Sequence, residues 1–76
     1  MSIEPQSIQV GQCYLMQSGV VRKVTALPPD RVQFEQRAGA VYRASGWKRG
    51  ILDLRSFAFS VERPVPCDWT PENDEA

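Results

Sequence analysis

The chain contains no histidine, and this absence narrows its chemistry more than any residue that is present. Nucleophilic catalysis by a Cys-His or Ser-His pair has no imidazole base here. A zinc site within one chain needs about four ligands, and two cysteines at opposite ends of the sequence do not supply them. Residues 46–50 lack the Lys-Ser/Thr ending of a phosphate loop, and no dinucleotide fingerprint occurs. The sequence therefore predicts a protein that is not an enzyme and has no metal site and no cofactor.

Cysteine is scarce as well, since Cys13 and Cys67 are the two in the sequence. Small secreted domains usually carry four or more cysteines. Residues 1–7 have neither the basic start nor the apolar centre of a signal peptide. These features predict a cytoplasmic chain with reduced thiols, in which Cys13 acts as a small buried hydrophobe. The sequence leaves open whether the two cysteines pair.

Long apolar runs are also missing, because none exceeds five residues, and this predicts that no helix spans a membrane. With 76 residues, of which 42% are hydrophobic, the chain forms one small domain at most. The predicted organisation is a flexible leader at residues 1–8, a folded domain at 9–69 and an acidic disordered tail at 70–76. A core this small is marginal, which leaves a homodimer open.

Short β-favouring segments between turn residues predict an all-β domain. The cleanest alternation is Arg31–Arg37, with Val32 and Phe34 facing the core and the odd-numbered residues, Arg37 included, facing solvent. The predicted strands cover residues 10–16, 20–27, 31–37, 41–44 and 47–52, and residues 65–67 close the fold. The predicted core consists of apolar residues at inward positions: Val10, Cys13, Leu15, Val21, Val24, Leu27, Val32, Phe34, Val41, Leu52, Leu54, Phe57 and Val61.

The second strand departs from strict alternation. Val21 and Val24 lie three residues apart, so a period of two would send either Arg22 or Lys23 inward. Small barrels need bulges or bends to close. We therefore expect a bulge or a sharp bend near Arg22–Lys23.

The segment that follows residue 53 fits two structures. Its apolar residues match either a strand or one face of a short helix. A helical turn near residues 54–62 is preferred, with Asp53 or Ser56 as its N-cap. Pro64 is expected to end this helix.

The order of these features resembles that of small bacterial and prophage-borne proteins with an SH3-like (Tudor- or KOW-like) barrel. The resemblance runs from Gly11-x-x-Tyr14 through Val32-x-Phe34 and Trp47 to Leu54-x-x-Phe57-x-x-x-Val61. It implies an SH3-like barrel of about five short strands. Barrels of this kind bind RNA, DNA, peptides or methyl-lysine, so no site residue is transferred from the group.

The charge distribution gives the strongest functional signal. The net charge is zero, yet residues 20–63 hold all nine basic residues and four of the acids, a local charge of +5. Residues 64–76 hold four acids and no base. A basic body behind an acidic tail is typical of a surface for nucleic acid or another anionic partner. Solvated outward positions of an ordinary barrel would give the same pattern.

Residues 42–50 contain the best candidate site, because aromatic and cationic side chains alternate there between glycines. Such a loop can stack bases and neutralise phosphates. The residues predicted to bind nucleic acid, either RNA or DNA, are Arg22, Lys23, Tyr42, Arg43, Trp47, Lys48 and Arg49.

Aromatic residues also allow another class of partner. Tyr14, Tyr42, Trp47 and Trp69 could line a peptide groove or a cage for a methylated amine if their rings converged. The alternative function is therefore a protein interaction module with an aromatic surface. Packing of Trp47 across the end of a barrel would instead make it structural.

Overall fold

The protein forms a single antiparallel sheet with one short helix before its last strand. The computed structural model describes residues 3–42 and 46–74. Its elements are a 3-10 turn (Pro5–Ser7), β1 (Cys13–Met16), β2 (Val20–Ala26), β3 (Arg31–Ala38), β4 (Lys48–Asp53), α1 (Leu54–Ser60), β5 (Val61–Val65) and a terminal turn of helix, α2 (Pro71–Asp74). The mostly β fold predicted from the sequence is confirmed.

The strand order is β4-β3-β2-β1-β5. Within residues 3–42 and 46–74 no pairing joins β4 to β5, so the sheet is open between these two strands. A closed barrel is therefore not formed by the described strands. Neither described helix is long and apolar enough to cross a membrane.

The predicted helix after residue 53 is confirmed as α1. Its N-cap is Asp53, whose side chain accepts a hydrogen bond from the Ser56 backbone N–H at 2.9 Å. The prediction that Pro64 ends this helix was wrong, because α1 ends at Ser60 and Pro64 lies within β5. Extended backbone accepts proline at a sheet edge, which is where β5 lies.

The strand predicted at residues 41–44 is not found in its described part. Val41 and Tyr42 lie outside the strands, and residues 43–45 lie outside the described part of the chain. β3 pairs instead with β4, in a register that places Phe34 opposite Gly50. The ring of Phe34 covers Gly50 so closely that an added Cβ would lie 2.7 Å from two ring carbons. In the described part of the chain, the partner of β3 on this side is therefore β4 and not a strand at residues 41–44.

Both faces of the sheet bury apolar residues, and this is the main difference from the sequence prediction. We call them the first and second faces. On β1, Tyr14 and Met16 face one way, whereas Cys13 and Leu15 face the other. The first face packs against α1 and buries Ile8, Tyr14, Met16, Val24, Val32, Phe34, Phe57, Ala58 and Val61. The second face buries Cys13, Leu15, Val21, Val65 and Trp69.

This two-sided packing explains why the irregularity predicted near Arg22–Lys23 lies further along β2. Val21 belongs to the second face and Val24 to the first, so their spacing of three fits an unbroken alternation. The β2–β3 register is regular through Lys23, and its irregularity falls between Val24 and Ala26. A second irregularity interrupts the β1–β5 pairing.

The predicted core differs from the observed one in two ways: some predicted residues are exposed, and some buried apolar residues were not predicted. Val10, Leu27 and Val41 are exposed, because each lies outside the strands. Leu52 and Leu54 are partly buried against the first face, while the other predicted core residues are buried. The buried residues that the prediction missed are Ile8, Tyr14, Met16, Ala58, Val65 and Trp69. Half of these lie outside the strands, where alternation gives no signal.

A disulfide bond joins Cys13 of β1 to Cys67, which follows β5. The prediction of reduced thiols was therefore wrong, and the open question of their pairing is answered. The sequence showed no signal for this bond, since the cysteines are 54 residues apart. The cytoplasmic location stays a prediction that no longer draws support from reduced thiols.

Candidate binding surface around Arg37

The second face contains a buried cation. Arg37 is 8% exposed, the one charged side chain buried among the described residues. Its Nη2 donates to the carbonyls of Trp69 (2.6 Å) and Cys67 (2.9 Å), and its Nη1 donates to those of Ala38 (3.0 Å) and Val41 (3.3 Å). The guanidinium thereby ties β3 to the loop that follows it and to the C-terminal segment. Its outward placement in the sequence prediction was wrong.

Burial has an electrostatic consequence for Arg37. Desolvation lowers the pKa of its guanidinium, and charge interactions with Tyr42 and Asp68 act in the opposite direction. The four carbonyl acceptors replace much of the lost hydration. The Nε of Arg37 is nevertheless buried without a hydrogen-bond partner in the described part of the chain.

Two aromatic rings lie close to this guanidinium. Its Cζ lies 5.1 Å from the ring centre of Tyr42 and 5.4 Å from that of Trp47, distances typical of cation–π contact. Tyr42 is 44% exposed, whereas Trp47 is partly buried against the second face. Arg37 therefore brings together the two aromatic residues that the sequence singled out in the loop. The protein's own cation is in contact with both rings.

The four aromatic residues considered for a cage do not converge. Tyr14 is buried on the first face, edge-on to Phe57 with ring centres 6.0 Å apart. Trp69 is buried on the second face, close to Gly39 and beneath the guanidinium of Arg63. One of the four rings thus lies on the opposite side of the sheet from the others.

Arg22, one of the residues predicted to bind nucleic acid, contacts neighbouring side chains within the fold. Its guanidinium lies 4.4 Å from the ring centre of Phe34, and its Nε donates to the Gln36 side chain at 2.9 Å. Desolvation lowers its pKa. Arg22 lies on the first face, whereas Lys23, the next residue, projects from the second.

Two of the remaining predicted cations, Lys48 and Arg49, lie at the start of β4. Lys48 is exposed on the first face, opposite Gln36 in the β3–β4 register. Arg49 projects from the second face with its side chain 91% exposed, and its Nε lies 4.0 Å from a carboxylate oxygen of Glu35. Lys23 is also exposed and pairs with Glu35 across β2 and β3. Arg43 lies outside the described residues.

The residue of the candidate site that the sequence missed is Arg37. Its alternation with Val32 and Phe34 placed it correctly away from the first face, but a second buried face was not expected. The sequence did contain a signal for the second face: three large apolar residues that are not part of the first-face core, namely Trp47, Val65 and Trp69.

No family model, curated protein or solved structure matches the chain.

Proposed function

We propose that this protein is a non-catalytic module that binds single-stranded nucleic acid weakly. The observation that carries the proposal is the grouping of Tyr42 and Trp47 at one guanidinium, next to the strand that begins with Lys48 and Arg49. A ring can stack on a base, while neighbouring cations neutralise phosphates, whatever the base sequence.

The surface cations support an electrostatic mode of binding. Lys23 and Arg49 are exposed on the second face, while Lys48, on the first face at the start of the edge strand β4, lines a groove together with Val41. Glu35 is the carboxylate nearest to Arg49 among the described ion pairs. Arg22 and Arg37 are held by contacts within the fold. They therefore add to the positive electrostatic potential of the surface but do not contact phosphate directly. Three phosphate contacts predict a slope of log K against log salt of about −2 for a single strand.

The proposal is tested with a fluorescein-labelled oligothymidylate, whose anisotropy reports binding at low ionic strength. We expect binding that weakens with salt at the slope given above. Tyr42→Ala removes one stacking ring and is expected to weaken binding about tenfold. Lys48→Ala removes one phosphate contact and is expected to reduce the steepness of the salt dependence by about 0.7.

Arg55→Ala is the matched control, because Arg55 is an exposed cation on α1, at the far end of β4 from Trp47. It is expected to leave the affinity unchanged. The proposal is rejected if the unmodified protein does not bind the oligonucleotide at low salt. Equal losses for Arg55→Ala and Lys48→Ala would also reject it, because binding would then follow total charge alone.

A protein interaction module is the second candidate function. A shallow groove of about 480 Å³ lies beside the loop, lined in part by Val20, Ala38 and Val41. Val41 is 55% exposed, which adds an apolar surface next to an exposed tyrosine. A peptide partner in this groove predicts binding that hardly responds to salt but is lost in Tyr42→Ala.

An SH3-like arrangement and a bacterial or prophage origin remain part of the proposal. The order β4-β3-β2-β1-β5, with a short helix between β4 and β5, supports the first. Because such barrels bind many classes of ligand, the arrangement favours a binding role without selecting a partner.

A further inference from the structure

The two edge strands of the sheet differ in whether their backbone can pair with a further strand. β4 and β5 are the two edge strands, and an edge strand presents unpaired backbone groups that can bind another strand. β5 contains Pro64 and is followed by Pro66, and neither residue has an N–H to donate. β4 contains no proline, and its hydrogen-bonded neighbour in the described chain is β3.

The exposed side chains of β4 would be complementary in charge to those of a second, antiparallel copy of the same strand. Arg49, Ile51 and Asp53 follow one another along the second face, with a cation at one end, a carboxylate at the other and an apolar residue between. Ile51 is 51% exposed. An antiparallel copy of this strand, turned about an axis through Ile51, presents the same three groups in reverse order.

We propose that β4 pairs antiparallel with β4 of a second copy of this chain, with the twofold axis at Ile51. In this register Arg49 lies opposite Asp53 of the second copy, and the two Ile51 side chains lie opposite each other. Each residue meets one on the same face, so the two sheets form one continuous ten-stranded sheet.

The existing β3–β4 register supports this choice of axis. Arg31 pairs with Asp53, and Glu35 pairs with Arg49. The proposed register joins these pairs into rows that alternate in charge across four strands, Arg31 and Asp53 of one copy followed by Arg49 and Glu35 of the other. An axis through Gly50 would instead place Arg49 opposite Ile51 and Lys48 opposite Leu52, without any opposite charges.

The first face accepts the same register. Gly50 then lies opposite Leu52 of the second copy, and Gly50 has no side chain to obstruct it. The Phe34 ring already covers Gly50 on that face. Leu52 is partly buried against the first-face core, so the junction adds an apolar contact next to an existing one.

Analytical ultracentrifugation over a concentration series tests the proposal without any nucleic acid. We expect a concentration-dependent dimer for the unmodified protein. Arg49→Glu places a carboxylate opposite Asp53 twice per dimer, and Asp53→Lys places a cation opposite Arg49 twice. Each variant alone is expected to weaken dimerisation by about tenfold or more.

A mixture of the Arg49→Glu and Asp53→Lys variants is the most direct test of the proposed register. In the mixed dimer the glutamate introduced at position 49 faces the lysine introduced at position 53, and at the other contact the native Asp53 faces the native Arg49. Attraction therefore returns at both contacts, and the mixture is expected to dimerise like the unmodified protein. Lys48→Glu makes the same charge change on the first face and is the matched control, expected to leave dimerisation unchanged.

Far-ultraviolet circular dichroism verifies that each variant is folded, since Asp53→Lys also removes the cap of α1. A monomeric unmodified protein at every concentration would overturn the proposal. A mixture that stays monomeric while both variants are folded would overturn the register, as would a Lys48→Glu loss equal to that of Arg49→Glu.

Discussion

At the scale of single residues, Arg37 joins the end of β3 and the loop after it to the segment after β5, which it reaches at Cys67, 30 residues further along the chain. Its four carbonyl acceptors come from the end of β3, from the following loop and from the segment after β5. A guanidinium suits this position because its donors form a planar fork that reaches several acceptors at once. Removing it would leave the buried carbonyl of Trp69 and three part-buried carbonyls without this donor, and an unsatisfied buried acceptor costs more than its bond contributes.

Arg37→Lys tests this role while keeping the charge. We expect the free energy of unfolding to fall by about 1–3 kcal/mol, because an ammonium cannot match the fork of the guanidinium. Urea denaturation followed by tryptophan fluorescence measures the change. Arg31→Lys, at an exposed position of the same strand, is the control and should change stability by less than about 0.5 kcal/mol. Equal effects would show that Arg37 acts through charge alone.

At the scale of elements, α1 is fixed at its start by Asp53. Hydrogen bonds from Ser56 lower the pKa of the Asp53 carboxyl, and the charge of Arg31 acts in the same direction. A carboxyl with a lower pKa in the folded protein stabilises it at pH values above the ordinary value of 3.8. That contribution is lost as the pH falls through the lowered pKa.

Asp53→Asn separates this titration from capping, because asparagine caps helices about as well as aspartate but does not titrate. We expect the unmodified protein to lose more stability than the variant as the pH falls below 3.8. Urea midpoints measured across this pH range, with protein dilute enough to be monomeric, provide the comparison. Parallel pH profiles for the two proteins would contradict the expectation.

The elements show which parts of the fold the sequence could predict. The alternation of Val32 and Phe34 identified β3, and the spacing of apolar residues after a capping Asp53 identified α1. These are local patterns, and local patterns report burial on one face. The second face is covered by Val65 and Trp69, whose arrival depends on the path of the chain after β5. No pattern within β2 or β3 contains that information.

The candidate site was predictable to the same extent. The sequence singled out the aromatic and cationic residues of the loop and of β4 from their types and their closeness along the chain. It could not assign Arg22 to the Phe34 ring or Arg37 to the interior, because both assignments depend on contacts across strands. It also could not separate the faces that Lys48 and Arg49 occupy until the register of β4 was known.

At the scale of the whole molecule, the disulfide fastens the segment after β5 onto β1. It closes a loop of 54 residues, most of the folded chain. In the chain-entropy model such a loop contributes about 4 kcal/mol by restricting the unfolded state. This matters in a chain of 76 residues, since small cores stabilise a fold only marginally.

The double variant Cys13→Ala, Cys67→Ala is expected to lower the free energy of unfolding by about 2–4 kcal/mol. Denaturation by urea measures it, with dithiothreitol as the internal control. The reductant should lower the stability of the unmodified protein by a similar amount and leave the double variant unchanged. If neither the double substitution nor dithiothreitol lowered the free energy of unfolding, the packing of Trp69 alone would hold the C-terminal segment.

The same bond governs how the molecule survives a break in its backbone. All five strands lie within the span from Cys13 to Cys67, so a protease that cleaves one peptide bond between these residues yields two fragments that share a covalent link through sulfur. The nicked protein would keep its full mass in a non-reducing gel and separate into two bands once a thiol is added.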